Sequence, residues 1–228
     1  MMTKPLLAIE TSTVACSVAV GSADGISLQE RHEPGAHASH IMAMIDAALE
    51  AAGVQMDALG GVVYGQGPGS FTGVRIAVAL AQGLAAGLSV PVLGVSSLAV
   101  LAQAAVAANP GRELLVLQDA RMGEVYAGTY APDDAGVVHA TDTDRLLEPD
   151  AVTAVVNGVA LGGALQSMPA LAARLEDCGM MTMPELLLPS ARELLVLARA
   201  AGDTGWTPAA GAAAVYLRQQ VATVKPAS

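Results

Sequence analysis

Residues 64–76, Tyr-Gly-Gln-Gly-Pro-Gly-Ser-Phe-Thr-Gly-Val-Arg-Ile, bring four glycines, Ser70, Thr72 and Arg75 into one short stretch. An apolar run precedes it and a helix-like run follows it, so it should join a strand to a helix. Backbone N–H groups at such a helix start can hold an anion. The stretch is not a phosphate-binding P-loop, because the closing Gly-Lys-Ser/Thr is missing. It also fails Gly-x-Gly-x-x-Gly, since Ser70 stands where the third glycine belongs. The simpler alternative is that the glycines permit a tight turn and that Ser70 or Thr72 caps the helix. Arg75 is the unusual residue. It is a cation in the first turn, where the helix dipole disfavours positive charge. It should therefore pair with a carboxylate or a bound anion, and an internal carboxylate is the expected partner.

Other chemistry is sparse. Ser70 and Thr72 would need a base to act as nucleophiles, and neither a Gly-x-Ser-x-Gly elbow nor a nearby histidine supports them. His37 and His40 are three apart and share a helical face, but His32 precedes the helix and His139 is remote, so no third metal ligand is evident. A solvated helix start is the expected setting for the pair, and no metal site and no catalytic residue are expected. The chain carries 21 acidic against 11 basic residues, a net charge of -10, and only two lysines, Lys4 and Lys225. Direct RNA binding relies on neutralising phosphates, so any nucleic acid should be carried by a partner. Cys16 and Cys178 suggest no disulfide framework, which points to a reduced, cytoplasmic protein.

The elements that must hold these residues follow from periodicity. Short apolar runs at 6–10, 15–20 and 26–31, with Asp24-Gly25 as a turn, predict a three-stranded meander. Ile41, Ile45 and Leu49 recur at helical spacing in 37–52, with Gly53 as the stop. A strand at 61–64, a helix over about 72–87, a strand at 90–95 and a helix capped by Ser96 or Ser97 complete the order βββαβαβα. From Ile76 to Gly111 there is no charged residue, but Gln82, Gly83, Gly87 and Ser89-Val90-Pro91 interrupt the run. It is expected to be a buried helix, strand and helix rather than a membrane span. The order is that of a ribonuclease-H-like half, the unit duplicated in actin and sugar kinases. The fold class is therefore α/β and actin-like, with two lobes of mixed sheet flanked by helices. Residues 1–110 should form the first lobe, and 111–228 a second, degraded one opening with a hairpin at 114–118 and 124–130. Beyond it, 152–159 looks like a strand, 191–201 like a helix and 202–211 like a loop.

Four ordered blocks resemble the TsaB/YeaZ family. The run Gly67-Pro68-Gly69-Ser70-Phe71-Thr72-Gly73-Val74-Arg75-Ile76 is similar to its signature. Ala8 to Thr13 resembles its opening strand and turn, Asp119 to Tyr126 its central hairpin, and Val215-Tyr216-Leu217-Arg218 its C-terminal Tyr-Leu-Arg motif. The resemblance implies a non-catalytic scaffold that pairs with TsaD, the catalytic homologue, and works with TsaE and TsaC. TsaC supplies threonylcarbamoyl-adenylate, and TsaD transfers its acyl group to adenosine 37 of tRNAs that read codons beginning with A. Homodimers and peptidase-like labels also occur in the family.

The resemblance further implies that Glu10, Thr11, Ser12 and Thr13 occupy the hairpin turn that faces phosphates in actin-like ATPases, with Asp119 as a second-lobe carboxylate. No cation accompanies the turn, and Glu10 repels phosphate unless Mg²⁺ intervenes. No tightly bound cofactor is expected, with ATP confined to the interface of the complex. The competing readings are an actin-like ATPase or kinase using Glu10 and Asp119 around Mg²⁺, and a metallopeptidase. TsaD carries a His-x-x-x-His pair, a spacing that His37 and His40 do not keep. The partner surface is expected on the first lobe's helices, at Ile41, Met42, Met44, Ile45, Ala77, Ala79 and Gly83, where small and flexible apolar groups recur.

Overall fold

The computed structural model describes residues 4–33, 37–183 and 188–218. The meander forms as expected: β1 (Leu6–Glu10), β2 (Cys16–Gly21) and β3 (Ile26–Arg31) pair antiparallel in succession. The helix α1 (His37–Ala52) returns the chain, and Gly53 beyond it takes φ 63°, a left-handed conformation that glycine adopts without steric cost. Strand β4 (Gly61–Gly65) then lies parallel to β1, and β5 (Val92–Val95) parallel to β4. The first sheet is thus ordered β3-β2-β1-β4-β5. Between its last two strands runs α2 (Phe71–Leu88), capped by Ser70, whose hydroxyl accepts the Gly73 N–H. Ser96 caps α3 (Ser97–Ala105) in the same way, accepting from Leu98 and Ala99.

The second half repeats the plan around a long hairpin, with its remaining strands only three residues each. A hairpin of β6 (Leu114–Asp119) and β7 (Val125–Pro132) is extended by β8 (Val138–Ala140), and β9 (Arg145–Leu147) also pairs with β7. On the other side β10 (Val159–Leu161) and β11 (Met181–Met183) add in parallel, giving the order β11-β10-β6-β7-β8. Between them lie α4 (Ala164–Ser167) and α5 (Pro169–Asp177). The strand expected over 152–159 is not formed. Val156 is 87% exposed in a turn, and the strand begins only at Val159.

Side-chain alternation along each strand separates the layers. Leu7, Ile9, Val18, Val20 and Val62 face α1 and α2, meeting Ile41, Ile45, Ala77 and Ala81. Ala8, Ala19, Val63 and Leu93 face the opposite way, toward Val100 of α3 and Leu194, Leu195 and Ala198 of α6 (Ala191–Ala201). In the second sheet Leu114, Val116 and Leu161 meet α3, while Leu115, Leu117 and Ala160 meet α4 and α5. The two sheets and their helices form an actin-like, two-lobed α/β architecture.

Two further findings differ from the sequence-based expectation. Helix α6, which falls in the stretch expected to form the second lobe, packs on the first sheet, tied there by Ala191 N–H donating to Ser17 Oγ at 2.9 Å. Helix α2 is not fully buried. It is long and apolar enough by composition to cross a membrane, yet only 28% of it is buried, along Gly73, Val74, Ala77, Ala81 and Ala85.

Candidate functional site: the glycine loop, the first turn and the interlobe cleft

The loop after β4 is laced to the β1–β2 turn by backbone. Ser70 N–H donates to Ser12 O at 2.7 Å, and Thr11 Oγ1 donates to Gly73 O at 2.7 Å. Ser97 N–H, at the start of α3, donates to Gly67 O at 2.9 Å. The Gly67–Pro68 peptide is cis and Gly67 has φ 92°. Glycine is required here for closeness. A Cβ on Gly69 would stand 2.4 Å from Ser12 O, and one on Gly73 only 1.9 Å from Thr11 O. The helix start therefore meets two carbonyl oxygens of its own chain. Their partial negative charge occupies ground where an anion would have to approach.

Glu10 lies at the centre of this junction, fully buried. Its Oε1 accepts Ser12 N–H at 2.6 Å, and its Oε2 accepts the Ser97 hydroxyl at 3.1 Å. Gly65 makes room for it, since a Cβ there would be 2.0 Å from Oε2. Burial, against the opposing hydrogen bonds from Ser12, Ser97 and Thr11, pushes its carboxyl above the ordinary range. Thr11 and Ser12 are also buried, and Thr13 Oγ1 accepts Ala15 N–H at 3.2 Å. Cys16 nearby is held as a thiol, its pKa pushed up to about 11 by burial and then by the Glu10 charge.

Ser12, Thr13 and Asp119 line a cleft of about 720 Å³ between the lobes, together with His37, Leu101 and Arg218. Glu10 and Thr11 are not part of its wall. The pair Glu10 and Asp119, which the competing ATPase or kinase reading would place around Mg²⁺, is therefore not brought into one space. Asp119 Oδ1 instead accepts Arg121 N–H at 2.7 Å, and its other oxygen pairs with the Arg121 guanidinium at 3.5 Å. Arg218 forms an ion pair with Glu124 and donates to Ala120 O at 3.1 Å. Deep in the cleft, Gln118 Nε2 has no hydrogen-bond partner among the described residues.

The histidines diverge. His37 is buried, with Nε2 at 2.9 Å from Thr13 O, rather than solvated as expected, while His40 lies 3.6 Å from Glu33 near the surface. Among the described residues no three of His, Cys, Asp and Glu gather as metal ligands.

Arg75 has a different partner from the one expected. Its guanidinium lies 3.5 Å from the centre of the Phe71 ring, and Nε donates to the Tyr216 hydroxyl at 2.9 Å. The ring face of Phe71 supplies negative potential without a formal charge. No carboxylate pairs with Arg75 among the described residues. Tyr216 belongs to the C-terminal motif, and its meeting with Arg75 could not be seen in the spacing of the sequence.

The helices expected to face a partner divide by burial. Ile41, Met44, Ile45 and Ala77 are at most 5% exposed and face the sheet, so they are core residues rather than a docking surface. Met42 is 45% exposed, and Ala79 and Gly83 are exposed on the outer side of α2. A Cβ placed on Gly83 or Gly87 would meet nothing within 4 Å.

Comparison with known proteins gives a consistent result. A family profile described as TsaD, tRNA N6-adenosine threonylcarbamoyltransferase, matches residues 33–148. The Escherichia coli K12 protein named tRNA threonylcarbamoyladenosine biosynthesis protein TsaB is 37% identical over 227 residues, 96% of this chain and 97% of that protein. The Haemophilus influenzae protein of the same name is 42% identical over 130 residues, 55% of this chain and 53% of that protein. A solved Pseudomonas aeruginosa structure, described as an uncharacterized protein with similarity to peptidase YEAZ, superposes with a TM-score of 0.83 at 35% identity. It covers 94% of this chain and 100% of that one. Similar along nearly its whole length to a named relative and alike in fold to a solved one, this chain belongs to the TsaB (YeaZ) family of tRNA threonylcarbamoyladenosine biosynthesis proteins.

Proposed function

We propose that this protein is a non-catalytic subunit that supports TsaD, with TsaE, in moving threonylcarbamoyl from its adenylate to adenosine 37 of tRNA. The observation that carries the reading is α2, an 18-residue apolar helix of which only 28% is buried. Its large apolar side chains Ile76, Val78, Leu80, Leu84 and Leu88 lean on the core. What it leaves to solvent beyond the first turn is an uncharged face of Ala79, Gln82, Gly83, Ala86 and Gly87, a surface suited to docking. Ala79, Gly83, Ala86 and Gly87 on that face are small enough for a second helix to approach closely. Met42 on α1 adds a flexible apolar contact beside it.

The turn and loop support the non-catalytic part. The Thr11 hydroxyl and the Ser12 and Gly73 carbonyls that would face a phosphate in an actin-like ATPase are engaged within the turn and loop. The Ser12 hydroxyl alone lacks a partner among these, and Glu10 is sealed behind Gly65. In this account ATP belongs to the interface of the complex, and tRNA reaches this chain only through its partners. Without TsaD the same face would pair with a second copy of the chain. Ala79→Arg tests the pairing. A guanidinium buried there without a partner costs about 3–5 kcal/mol, at least ~100-fold in Kd. The far-UV CD spectrum should be unchanged. Full-strength pairing by both Ala79→Arg and Met42→Arg would remove α1 and α2 as the TsaD contact.

A further inference from the structure

Arg75 is oriented with care and then left open. Phe71 holds one face of its guanidinium at 3.5 Å, and Tyr216 accepts its Nε proton at 2.9 Å. The two rings stand 6.2 Å apart, so Arg75 is gripped between a residue of its own helix turn and one far along the chain. Its two Nη groups make no hydrogen bond among the described residues, and the side chain is exposed. A cation in the first turn of a helix opposes the dipole, and nothing of opposite charge among the described residues offsets that cost. The surroundings are apolar and open: Phe71 and Tyr216 are each 52% exposed, Val215 38% and Met122 79%. Arg121 at the edge is already paired with Asp119, which leaves Arg75 to receive the charge. Arg, Tyr and Met on a protein surface, with rings already immobilised, have the composition of an interface centre.

Arg75 also lies in line with the outer face of α2. Phe71, Arg75, Ala79, Gly83 and Ala86 recur at spacings of three and four and share one side of the helix. We propose that Arg75 receives a carboxylate from the partner subunit that packs on this face, and that an apolar side chain beside that carboxylate covers Phe71 and Tyr216. This rests on the pairing proposed above and names its chemistry at one end of the helix. The free Nη edge is a planar donor pair that matches the two oxygens of a carboxylate. An RNA phosphate is the less suitable occupant. RNA affinity grows from many neutralised phosphates, whereas this chain carries a net charge of -10 and its nearby Arg121 and Arg218 are already paired.

The test is titration calorimetry of the full-length chain with TsaD from the same organism, using the native protein, Arg75→Ala, Arg75→Lys and Ala79→Arg. Thermal melts of each chain alone accompany it. Removing one member of a desolvated, hydrogen-bonded charge pair should weaken binding about 30-fold or more. Arg75→Lys keeps the charge but loses the fork and the stacking, so it should recover only part of that loss. Melting temperatures should stay within about 2 °C of native, as for exposed substitutions. Binding by Arg75→Ala within about twofold of native, while Ala79→Arg abolishes it, would overturn the inference and leave the pairing face standing. Native binding by both would overturn the two together. A defect confined to tRNA binding by the assembled complex, or to self-association of this chain, would also overturn the inference. So would a large fall in melting temperature with unchanged TsaD affinity.

Discussion

Replacing Gly73 with alanine should destabilise the protein, although alanine is the better helix former. A Cβ at this position would lie 1.9 Å from Thr11 O and 3.0 Å from Thr11 C, both backbone atoms that no side-chain rotation can move aside. The start of α2 would have to shift by more than an ångström from the β1–β2 turn. That movement breaks the bond from Thr11 Oγ1 to Gly73 O. Overpacking of this kind costs about 3 kcal/mol at its upper range, and the lost hydrogen bond about 1 kcal/mol. The helical preference of alanine returns about 1 kcal/mol. The net loss is about 3 kcal/mol, or about 6–12 °C in melting temperature for a chain of this length. Gly83→Ala on the same helix is the control. Nothing lies within 4 Å of its added Cβ, so the same substitution should raise the melting temperature by about 1–4 °C. Differential scanning calorimetry of both variants reads the two signs directly. Equal or greater stability of Gly73→Ala would refute the close-approach reasoning, and a large loss at Gly83 would refute the exposed face.

Glu10 gives a pH test. Its folded-state pKa is raised, burial being the largest cause, so the folded protein holds that proton more firmly than the unfolded chain. The stability it contributes is greatest at low pH and is lost as pH rises from the ordinary carboxylate range through the raised value. Glu10→Gln keeps the shape and removes the titration. The melting temperature of the variant should therefore gain on that of the native protein as pH rises above the ordinary carboxylate range; a constant or shrinking difference would count against a buried, proton-holding Glu10. The thiols give a second test. Cys16 is buried, with its pKa pushed up to about 11, whereas Cys178 is exposed. Iodoacetamide near neutral pH should label Cys178 and spare Cys16 until the protein unfolds, as mass spectrometry of the digested protein will report.

The first lobe was legible because its elements are long enough to display their period. Ile41, Ile45 and Leu49 mark α1, and the glycine loop is bounded by a continuous apolar strand and a helix. The second lobe was harder because β8 to β11 are three residues each, too short for alternation to register. Val155 and Val156 imitated a strand in what proves to be a turn. Helix α6 was visible as a helix, but its place on the first sheet depends on contacts with Ser17 and Ala19, far away in sequence.

The candidate site divided in the same manner. The misplaced charge of Arg75 is a local signal and could be seen, whereas its partner Tyr216 lies 141 positions away. The loop glycines suggested a ligand because glycine permits any close approach. Only the register of β1 with β4 reveals that what approaches is the chain's own turn. Ser97, which donates to Glu10, looked like nothing more than a helix start.

The central claim is tested most directly by reconstitution: purified TsaD, TsaE, threonylcarbamoyl-adenylate, Mg-ATP and unmodified tRNA, with and without this chain, scored by mass spectrometry of the digested tRNA. The account predicts N6-threonylcarbamoyladenosine only when the chain and TsaD are both present, and none from the chain alone with adenylate and tRNA. Full-rate modification by TsaD and TsaE without it, or transfer by this chain alone, would contradict the account.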